Sequence, residues 1–507
     1  MNDSSKQRRA GIILSYIALG ANLLISIVYT PFLLKMLGQS DYGNYQYVSS
    51  IISYLTLLTC GFGGAYLRFS TPYWKKNDQE GIAKINGLFL SLFLIMGTIA
   101  LVFGSIMTWQ SDFILGGKLT IDELATGKIL MAILVINIFT TFPISVFNSY
   151  IIAQERFIFQ KGLAVFRAVF SPAICVLVLL YGSNSIGIAL ATLFVSIVND
   201  AITVVFCLAK LKMKIKISKD VFPQAKEVFV FSSYLLLSMI VDQVNWSVDK
   251  LLLGKLCGTA VVAVYTVSAT INGYYKTIGE NISNVYAPRV YQIVGEKDGD
   301  EKATQLFTGL GRIQSIVLFL IVTGFIVFGR PFINLWVGAD YSDCYAITLL
   351  LMIPVTVPEI QKIGLEIQRA KNKHKFRSVL YAIIAVVNII ISIPLSNTYG
   401  AIGAAIGTAI TITIGNGLIM NIYYHKVIKL NIIYFWKEIL KLIPAAVIPC
   451  AAGVIIMRFV NCTNWICLML GIVTYVVAYA VCILLFGVNR AEREKVIGII
   501  RKIKNRK

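Results

Sequence analysis

Long, nearly unbroken runs of apolar residues recur along the whole chain, separated by short charged segments. One run reads AGIILSYIALGANLLISIVYTPFLL, from residue 10 to residue 34. About 20 apolar residues in a helix cross the ~30 Å of hydrocarbon in a bilayer, so each run predicts a transmembrane α-helix. The alternation of apolar and polar residues typical of membrane β-barrel strands is absent from these runs. The pattern therefore predicts an all-α polytopic membrane protein.

Fourteen spans are predicted in this way, and an even number of crossings places both termini on the same side of the membrane. Their approximate ranges are 10–36, 45–67, 85–108, 125–151, 162–181, 185–209, 227–253, 259–284, 309–329, 344–368, 378–396, 400–424, 442–460 and 465–486.

Charge gives these spans a direction. The 507 residues are 57% hydrophobic and 14% charged, yet the net charge is +21. A positive excess of this size indicates either a nucleic-acid partner or basic residues sorted to one side of a bilayer. The segments on the side of the termini hold 35 Lys and Arg residues, whereas the opposite loops hold only Lys118, Lys255 and Arg330. We therefore expect cytoplasmic termini, contact of the basic segments with anionic lipids of the cytoplasmic face, and no nucleic-acid partner.

The two halves of the chain share a signature. The segment Lys35-Met-Leu-Gly38 has a counterpart 220 residues later in Lys255-Leu-Cys-Gly258, and two shorter echoes follow in the same order. A repeat of six helices predicts two lobes that run in the same direction and rock about a central cavity, which is a transporter architecture. The predicted divisions are a cytoplasmic N-terminus (1–9), an N-lobe (10–209), a cytoplasmic linker (210–226), a C-lobe (227–424), helices 13 and 14 (425–486) and a basic cytoplasmic tail (487–507).

Three segments carry a resemblance to a known family. They are LLKMLGQSDYGNYQYVSSIISYLTLLTCGFGGAYLRF (33–69), SVDKLLLGKLCGTAVVAVYTVS (247–268) and QRAKNKHKFRSVLYAIIAVVNIIISIPLSNTYGAIGAAIGTAI (368–410). The chain resembles the oligosaccharide flippases of polysaccharide biosynthesis, the O-antigen and capsule exporters of the multidrug/oligosaccharidyl-lipid/polysaccharide exporter superfamily. The resemblance implies a bacterial cytoplasmic membrane protein that moves an undecaprenyl-diphosphate-linked oligosaccharide from the inner to the outer leaflet. The resemblance also implies that no nucleotide is used, and the sequence has no Cys and His residues at metal-ligand spacing. We therefore expect a monomeric, non-enzymatic protein without a cofactor, a metal or catalytic residues.

Basic residues inside the spans are candidates for contact with the diphosphate of such a cargo. Arg167, Lys276 and Lys362 lie in the inner third of their spans, where a charge that faces lipid is costly. Arg binds phosphate through a bidentate fork and Lys as a point charge. The alternative is snorkelling or a local ion pair with Glu280, Glu359 or Glu366. The pairs Lys276–Glu280 and Lys362–Glu366 have the i,i+4 spacing that favours such contacts.

Two more arginines, Arg68 and Arg289, lie at the cytoplasmic ends of spans 2 and 8, near equivalent positions of the repeat. They are candidates for a ring around the substrate entrance, and interface anchoring is the alternative. Arg312, near another inner end, is expected only to snorkel.

Three carboxylates are candidates for coupling transport to H⁺ or Na⁺. Asp242 lies close to mid-membrane in span 7, on one helix face with Asn245 and Asp249. Asp200 and Glu359 are its rivals, and Glu359 lies next to Pro358 in a span that two prolines are expected to bend. The alternative for each is a hydrogen bond to a neighbouring helix.

Three functions fit a membrane protein of this kind. The first is the lipid-linked oligosaccharide flippase, and the second is a cation-coupled antiporter of drugs or metabolites with the same fold. The third, a glycan polymerase or ligase, predicts a large outer loop with paired Arg or His, and the longest outer loop here spans only residues 109–124. The basic residues of the inner third favour the flippase over an antiporter, whose cavity acidic residues would dominate.

Overall fold

The computed structural model describes residues 3–488 except 60, 295, 297, 374 and 461. Within the helices, the side chains that lie outside this description are those of residues 3–13, 15, 16, 18, 19, 23, 234, 235, 237, 238, 241, 242, 245, 246, 284, 285, 287 and 288. Throughout the described part of the chain, regular structure is helical and contains no strand. The chain divides after Ala263 into two compact units, each of which is described by itself.

The first unit is built from long helices joined by short turns. Its helices are α1 (Asp3–Ile52), α2 (Phe62–Lys75), α3 (Gln79–Trp109), α4 (Ser111–Leu115), α5 (Ile121–Ala153), α6 (Phe157–Leu180), α7 (Ser185–Val205) and α8 (Pro223–Cys257). Helix α3 packs against α5, α1 against α6, and α5 against α7, while α8 packs on α1 and α2. One core consists largely of aromatic and aliphatic side chains of α2, α3 and α5, with Phe62, Tyr66 and Phe89 fully buried at its centre.

Helix α9 (Thr259–Val294) begins at the end of the first unit, and most of it belongs to the second unit. The remaining helices are α10 (Gly299–Trp336), α11 (Cys344–Ile360), α12 (Ile363–Ala370), α13 (Lys375–Ile412), α14 (Met420–Lys426), α15 (Ile432–Leu440), α16 (Ile443–Phe459) and α17 (Trp465–Cys482). Helix α10 packs against α11, α15, α16 and α17, and α11 packs against α13.

Turn chemistry explains where several of these helices begin. The Asp78 carboxylate accepts a hydrogen bond from the Gly81 amide at 2.9 Å and so caps α3. Thr120 and Glu123 form a reciprocal capping box at the start of α5. Each cap satisfies backbone donors that have no partner inside the helix, which stabilises a helix start by about 1 kcal/mol.

Ten helical ranges in the described residues are long and apolar enough to cross a membrane. One of them, Lys375–Lys426, contains two of the predicted spans, and Gly20–Lys75 covers most of the first predicted span and all of the second. Predicted spans 7 and 8 coincide with α8 and α9, which are not among the ten ranges. The all-α polytopic class is confirmed, and the count of fourteen spans stays a prediction.

Glycines mark the breaks inside the two longest ranges and between α8 and α9. The φ and ψ angles are 73° and 175° at Gly38, 95° and 173° at Gly258, and 56° and −132° at Gly400. Backbone with positive φ and extended ψ is essentially restricted to glycine. The repeat predicted from sequence aligns Gly38 with Gly258, and the two residues adopt nearly the same conformation.

The segment that joins α7 to α8 is extended and anchored on α3. The Lys216 amide donates to the Ala83 carbonyl at 2.9 Å, and the Asn86 side chain donates to the Lys214 carbonyl at 2.8 Å. Gly87 lies directly beneath this backbone, where a Cβ atom would clash with Lys216. The predicted linker 210–226 is therefore held against the first unit along part of its length. The Ser218 hydroxyl, and next the Lys84 ammonium, hold the pKa of the Asp220 carboxyl below its ordinary value.

Candidate functional site

A helix break lies beside a buried carboxylate in the second unit. The sequence predicts one span over 344–368, but α11 ends at Ile360 and α12 begins at Ile363. Pro354 and Pro358 each remove an intrahelical hydrogen bond before the break, which explains why the span is discontinuous. Transporters use such interrupted helices to place backbone and charged groups at substrate or ion sites.

Lys362 lies at this break and is held by two carboxylates. Its Nζ atom lies 2.7 Å from Oε1 of Glu280 on α9 and 3.2 Å from Oε1 of Glu359 on α11. The sequence offers an ion pair with Glu280, Glu359 or Glu366 as the alternative for this lysine. In the structure its partners are Glu280 and Glu359, whereas the i,i+4 neighbour Glu366 binds other residues.

Glu366 instead forms contacts on the exposed side of α12. It pairs with Arg369 at 2.7 Å and accepts a hydrogen bond from the Tyr291 hydroxyl at 3.1 Å. Arg369 is an i,i+3 neighbour on the same helix, whereas Tyr291 belongs to α9 and could not be identified from spacing.

Glu359 is the buried member of the cluster, with 2% of its surface exposed. Its Oε2 atom is buried and accepts no hydrogen bond from any described residue. Gly279 lies so close that a Cβ atom at this position would be 2.9 Å from that oxygen. Helix α9 thus approaches the carboxylate through a glycine, and the unsatisfied oxygen is a position where a proton would be stabilised.

Lys276 brings a second positive charge to this cluster. It is half-buried on α9, one turn before Glu280, and its charge acts on the Glu359 carboxylate. Two lysines and two glutamates therefore meet where α9 packs beside the break after α11, and their formal charges cancel. The sequence separately identified Lys276, Lys362 and Glu359 as candidates for two different roles, and the structure brings them together.

A cavity of about 660 Å³ lies between the middle of α2 and the start of α8 in the first unit. Arg68 and Lys226 supply its positive charges and Glu227 a negative one. The Arg68 guanidinium lies over the Phe231 ring, 4.4 Å from its centroid, which is a cation–π contact. Lys226 was not singled out from the sequence, because its position across from Arg68 depends on the packing of α8 on α2.

Arg167 lies on α6 and donates from Nη2 to the Ser196 hydroxyl of α7 at 3.3 Å. Asp200 follows one turn later on α7, and the charge of Arg167 acts on its carboxylate. The Asp200 Oδ2 atom is buried without a hydrogen-bond partner among the described residues. A diphosphate candidate and a coupling candidate are thus neighbours in the first unit.

Two candidates remain, Arg289 and Asp242. Arg289 is exposed near the end of α9, where it donates to Gln292 at 3.4 Å. Asp242 lies within α8, but its side chain and that of Asn245 are outside the described residues. Asp249, on the helix face predicted for them, is 4% exposed.

Arg312 does not snorkel, contrary to the expectation from its position. It is 3% exposed, pairs with Glu438 at 3.2 Å, and donates to the Glu438 carbonyl at 2.7 Å and to the Gly487 carbonyl at 2.8 Å. Three segments converge on it: α10, the amphipathic helix α15 and the end of the chain's last described helix. The sequence showed its place along the span but not α15, which folds over the position and excludes water.

Comparison with solved structures identifies the fold. The lipid II flippase MurJ, in an inward closed conformation, is 17% identical with a TM-score of 0.70, and the match covers 94% of this chain and 98% of that one. An inward-facing multidrug resistance transporter of the MATE family, within the MOP superfamily, is 16% identical with a TM-score of 0.59 over 83% and 99% of the two chains. The protein is therefore a polytopic α-helical membrane protein with the fold that flippases and transporters of the MOP superfamily share.

Sequence comparison narrows this class to a family. The family described as "Polysaccharide biosynthesis protein" matches residues 32–346, and the chain belongs to it. Its similarity to the uncharacterized membrane protein EpsK of Bacillus subtilis (strain 168) extends over 499 residues at 19% identity, which is 95% of this chain and 96% of that protein. The family predicted from the three sequence segments is confirmed.

Proposed function

We propose that the protein moves an undecaprenyl-diphosphate-linked oligosaccharide from the inner to the outer leaflet of a bacterial cytoplasmic membrane by alternating access. Membership of the polysaccharide biosynthesis family supports a glycan-related cargo. The fold shared with MurJ supports a lipid-linked one, because that protein is described as a lipid II flippase. The excess of basic residues on one side supports cytoplasmic termini, with the N-lobe and C-lobe as the moving parts.

The cavity between α2 and α8 is the observation that carries the cargo assignment. Its two basic residues lie at the ends of predicted spans 2 and 7 that the charge distribution assigns to the cytoplasmic face, where a diphosphate approaches. Stacking on Phe231 occupies the face of the Arg68 guanidinium, and its in-plane N–H groups are suited to bidentate contact with phosphate oxygens. Lys226 adds a second positive charge in the same cavity. Arg68 is therefore the strongest of the five diphosphate candidates.

Glu359 is the strongest of the three coupling candidates. A buried carboxylate oxygen without a hydrogen-bond donor favours protonation, and the adjacent helix break provides a hinge. The cluster with Lys276, Lys362 and Glu280 has no net formal charge, which suits proton exchange better than capture of a diphosphate. We therefore propose H⁺ as the coupling ion and a coupling role for Lys362.

A binding assay tests the cargo. The purified protein is titrated with undecaprenyl-diphosphate oligosaccharide, and Arg68→Gln with Lys226→Gln is expected to weaken binding at least about tenfold. Lys118→Gln, a charge removed on the predicted outer side, is the matched control and should bind as the parent does. Equal binding by the double variant would disprove the diphosphate site.

The cation-coupled antiporter is the second candidate function. The MATE-type fold and the unsatisfied carboxylate oxygens of Glu359 and Asp200 support it. The same assay separates the two functions when cationic drugs replace the lipid. A protein that bound the drugs and ignored the lipid would be an antiporter.

A further inference from the structure

A second cavity, of about 720 Å³, lies in the second unit between the C-terminal ends of α10 and α16 and the start of α11. These helix ends face the side predicted to be outside the cell. The cavity is thus separate from the cluster around Glu359, which lies at the opposite end of α11.

Two arginines line this cavity, Arg330 and Arg458. Among the described residues that line it, they are the charged ones, and none is acidic. They are also the only basic residues that the predicted topology assigns to the outer side after residue 264. Within the described part of the chain, neither guanidinium lies within ion-pair distance of a carboxylate. The predicted outer side carries few positive charges, and two of them line this one cavity. This placement indicates an anionic ligand.

The rest of the lining is mainly apolar and comes from the two helices that flank the arginines. It includes Val327 and Leu335 of α10 and Val454 and Met457 of α16. Such a surface does not suit a free inorganic anion, which is stabilised by donors on all sides. It suits a ligand with a charged head and hydrocarbon chains.

Tyr345 orients one of the two arginines. Its hydroxyl donates to the Ile326 carbonyl at 2.9 Å, which fixes the ring between α10 and α11. The Arg330 guanidinium lies 5.0 Å from the centroid of that ring. The cation–π contact uses the face of the guanidinium and leaves its edge suited to an oxyanion.

Aromatic side chains beside the cavity place it at the depth of lipid headgroups. Phe332 stacks on Trp336 at 5.3 Å, and Trp465 meets Phe332 edge-on at 6.3 Å. Phe459, next to Arg458, is 85% exposed. Tryptophan and tyrosine are enriched where the bilayer meets water, as Trp336, Trp465 and Tyr345 are placed here.

We propose that this cavity binds the phosphate headgroup of an anionic phospholipid, with Arg330 and Arg458 on the phosphate and the apolar walls against the acyl chains. The site is independent of the cargo proposed above. Lipid bound there bridges α10, α11 and α16 at their outer ends. It therefore stabilises the contact between α16, which lies outside the predicted C-lobe, and the C-lobe helices α10 and α11.

Native mass spectrometry of the full-length protein in detergent tests this site, with phosphatidylglycerol and phosphatidylcholine of identical acyl chains as probes. The parent protein is expected to retain phosphatidylglycerol at least about tenfold better than phosphatidylcholine. Arg330→Gln with Arg458→Gln should abolish the preference, whereas Arg330→Lys with Arg458→Lys should keep part of it because the charge remains. Lys118→Gln with Lys255→Gln removes two predicted outer charges elsewhere and is the matched control.

Three results would overturn the proposal. The first is an unchanged preference for phosphatidylglycerol in the double glutamine variant, and the second is an equal loss in the control variant. The third is displacement of phosphatidylglycerol by millimolar inorganic phosphate, which would show a site for a free anion. Both arginines are exposed, so the variants are expected to unfold at the temperature of the parent, and a thermal scan checks this.

Discussion

The Nζ atom of Lys362 lies 2.7 Å from Oε1 of Glu280, although the two residues belong to separate helices of the second unit. The lysine side chain is 24% exposed and the glutamate 43% exposed, so water reaches one side of the pair. On its other side Lys362 meets Glu359, whose side chain is 3% exposed. The lysine therefore connects a solvated carboxylate to a buried one.

This arrangement predicts that loss of Lys362 lowers stability more than loss of Glu280 does. Lys362→Met removes the ion-pair partner of the buried Glu359 and leaves only the charge of Lys276 near it, so we expect the free energy of unfolding to fall by about 1–3 kcal/mol. Glu280→Gln removes only the solvated partner and should cost less than about 1 kcal/mol. Thermal unfolding in detergent measures both. Adding Glu359→Gln to Lys362→Met should recover part of the loss, and a further loss in the double variant would contradict this view of the cluster.

Transport measurements distinguish the three coupling candidates. Glu359→Gln keeps the size of the side chain but cannot release a proton, so we expect it to abolish ion-driven transport in proteoliposomes while cargo binding persists. Asp242→Asn and Asp200→Asn are tested alongside. Loss of coupling in Asp242→Asn alone would move the coupling site to α8, as the depth of Asp242 in the sequence first suggested.

Arg312 and Lys441 offer a second comparison, because both bind Glu438. Arg312→Met leaves a glutamate and two carbonyl groups without their donor in a buried position, and we expect a loss of about 3–5 kcal/mol. The Lys441 side chain is 64% exposed, so Lys441→Met should change stability by less than about 1 kcal/mol. Thermal unfolding followed by tryptophan fluorescence is a suitable measurement. Similar shifts of the unfolding temperature in the two variants would show that burial of an ion pair does not determine how much it contributes to stability.

Gly43 is required by close packing of helices. A Cβ atom there would clash with the backbone carbonyl of Thr259, which cannot move without displacing the start of α9. Gly43→Ala is expected to destabilise the first unit by about 1–3 kcal/mol. At Gly20 a Cβ atom meets nothing within 4 Å, so Gly20→Ala should be neutral or stabilising by up to about 1 kcal/mol. The temperature of half-maximal aggregation reports the difference, and equal values for the two variants would refute it.

Arg167 remains a candidate for contact with the cargo. If it binds the diphosphate, Arg167→Ala should weaken binding of undecaprenyl-diphosphate oligosaccharide by about tenfold, and Arg167→Lys should weaken it less. Ser196→Ala removes the hydrogen bond from the arginine without removing its charge and is the matched control. Unchanged affinity in Arg167→Ala would show that Arg167 does not bind the cargo and only contacts α7.

The glycine pair illustrates what a repeat in the sequence reveals. Gly38 and Gly258 were aligned from a few shared residues, and both adopt a conformation that side chains with a Cβ atom avoid. A Cβ atom at Gly38 meets nothing within 4 Å, so its requirement is conformational and can be seen in one chain segment. Such local demands are visible in a sequence because they do not depend on a distant partner.

The partners of charged side chains, in contrast, could not be identified from the sequence. The spacing of Lys362 and Glu366 favoured an ion pair within one helix, but two prolines end that helix at Ile360. Arg312 was expected to reach water, but α15 covers it. In each case the side chain contacts a helix that is distant in the sequence, α9 for Lys362 and α15 for Arg312. Packing sets the position of that helix, and the spacing of residues along the chain does not show it.

The sequence by itself determined the class of this protein, its family and the location of its apolar spans. Length and hydropathy of a span are properties of about 20 consecutive residues, and the side preference of basic loops adds up along the chain. Only the tertiary structure decided which charges meet: Lys276, Lys362, Glu280 and Glu359 at one helix break, Arg68 with Lys226 in one cavity, and Arg330 with Arg458 in another. Hydrogen bonds and close ion pairs form only when the two groups are about 3 Å apart, so the chemistry of these residues depends on packing between helices far apart in the chain.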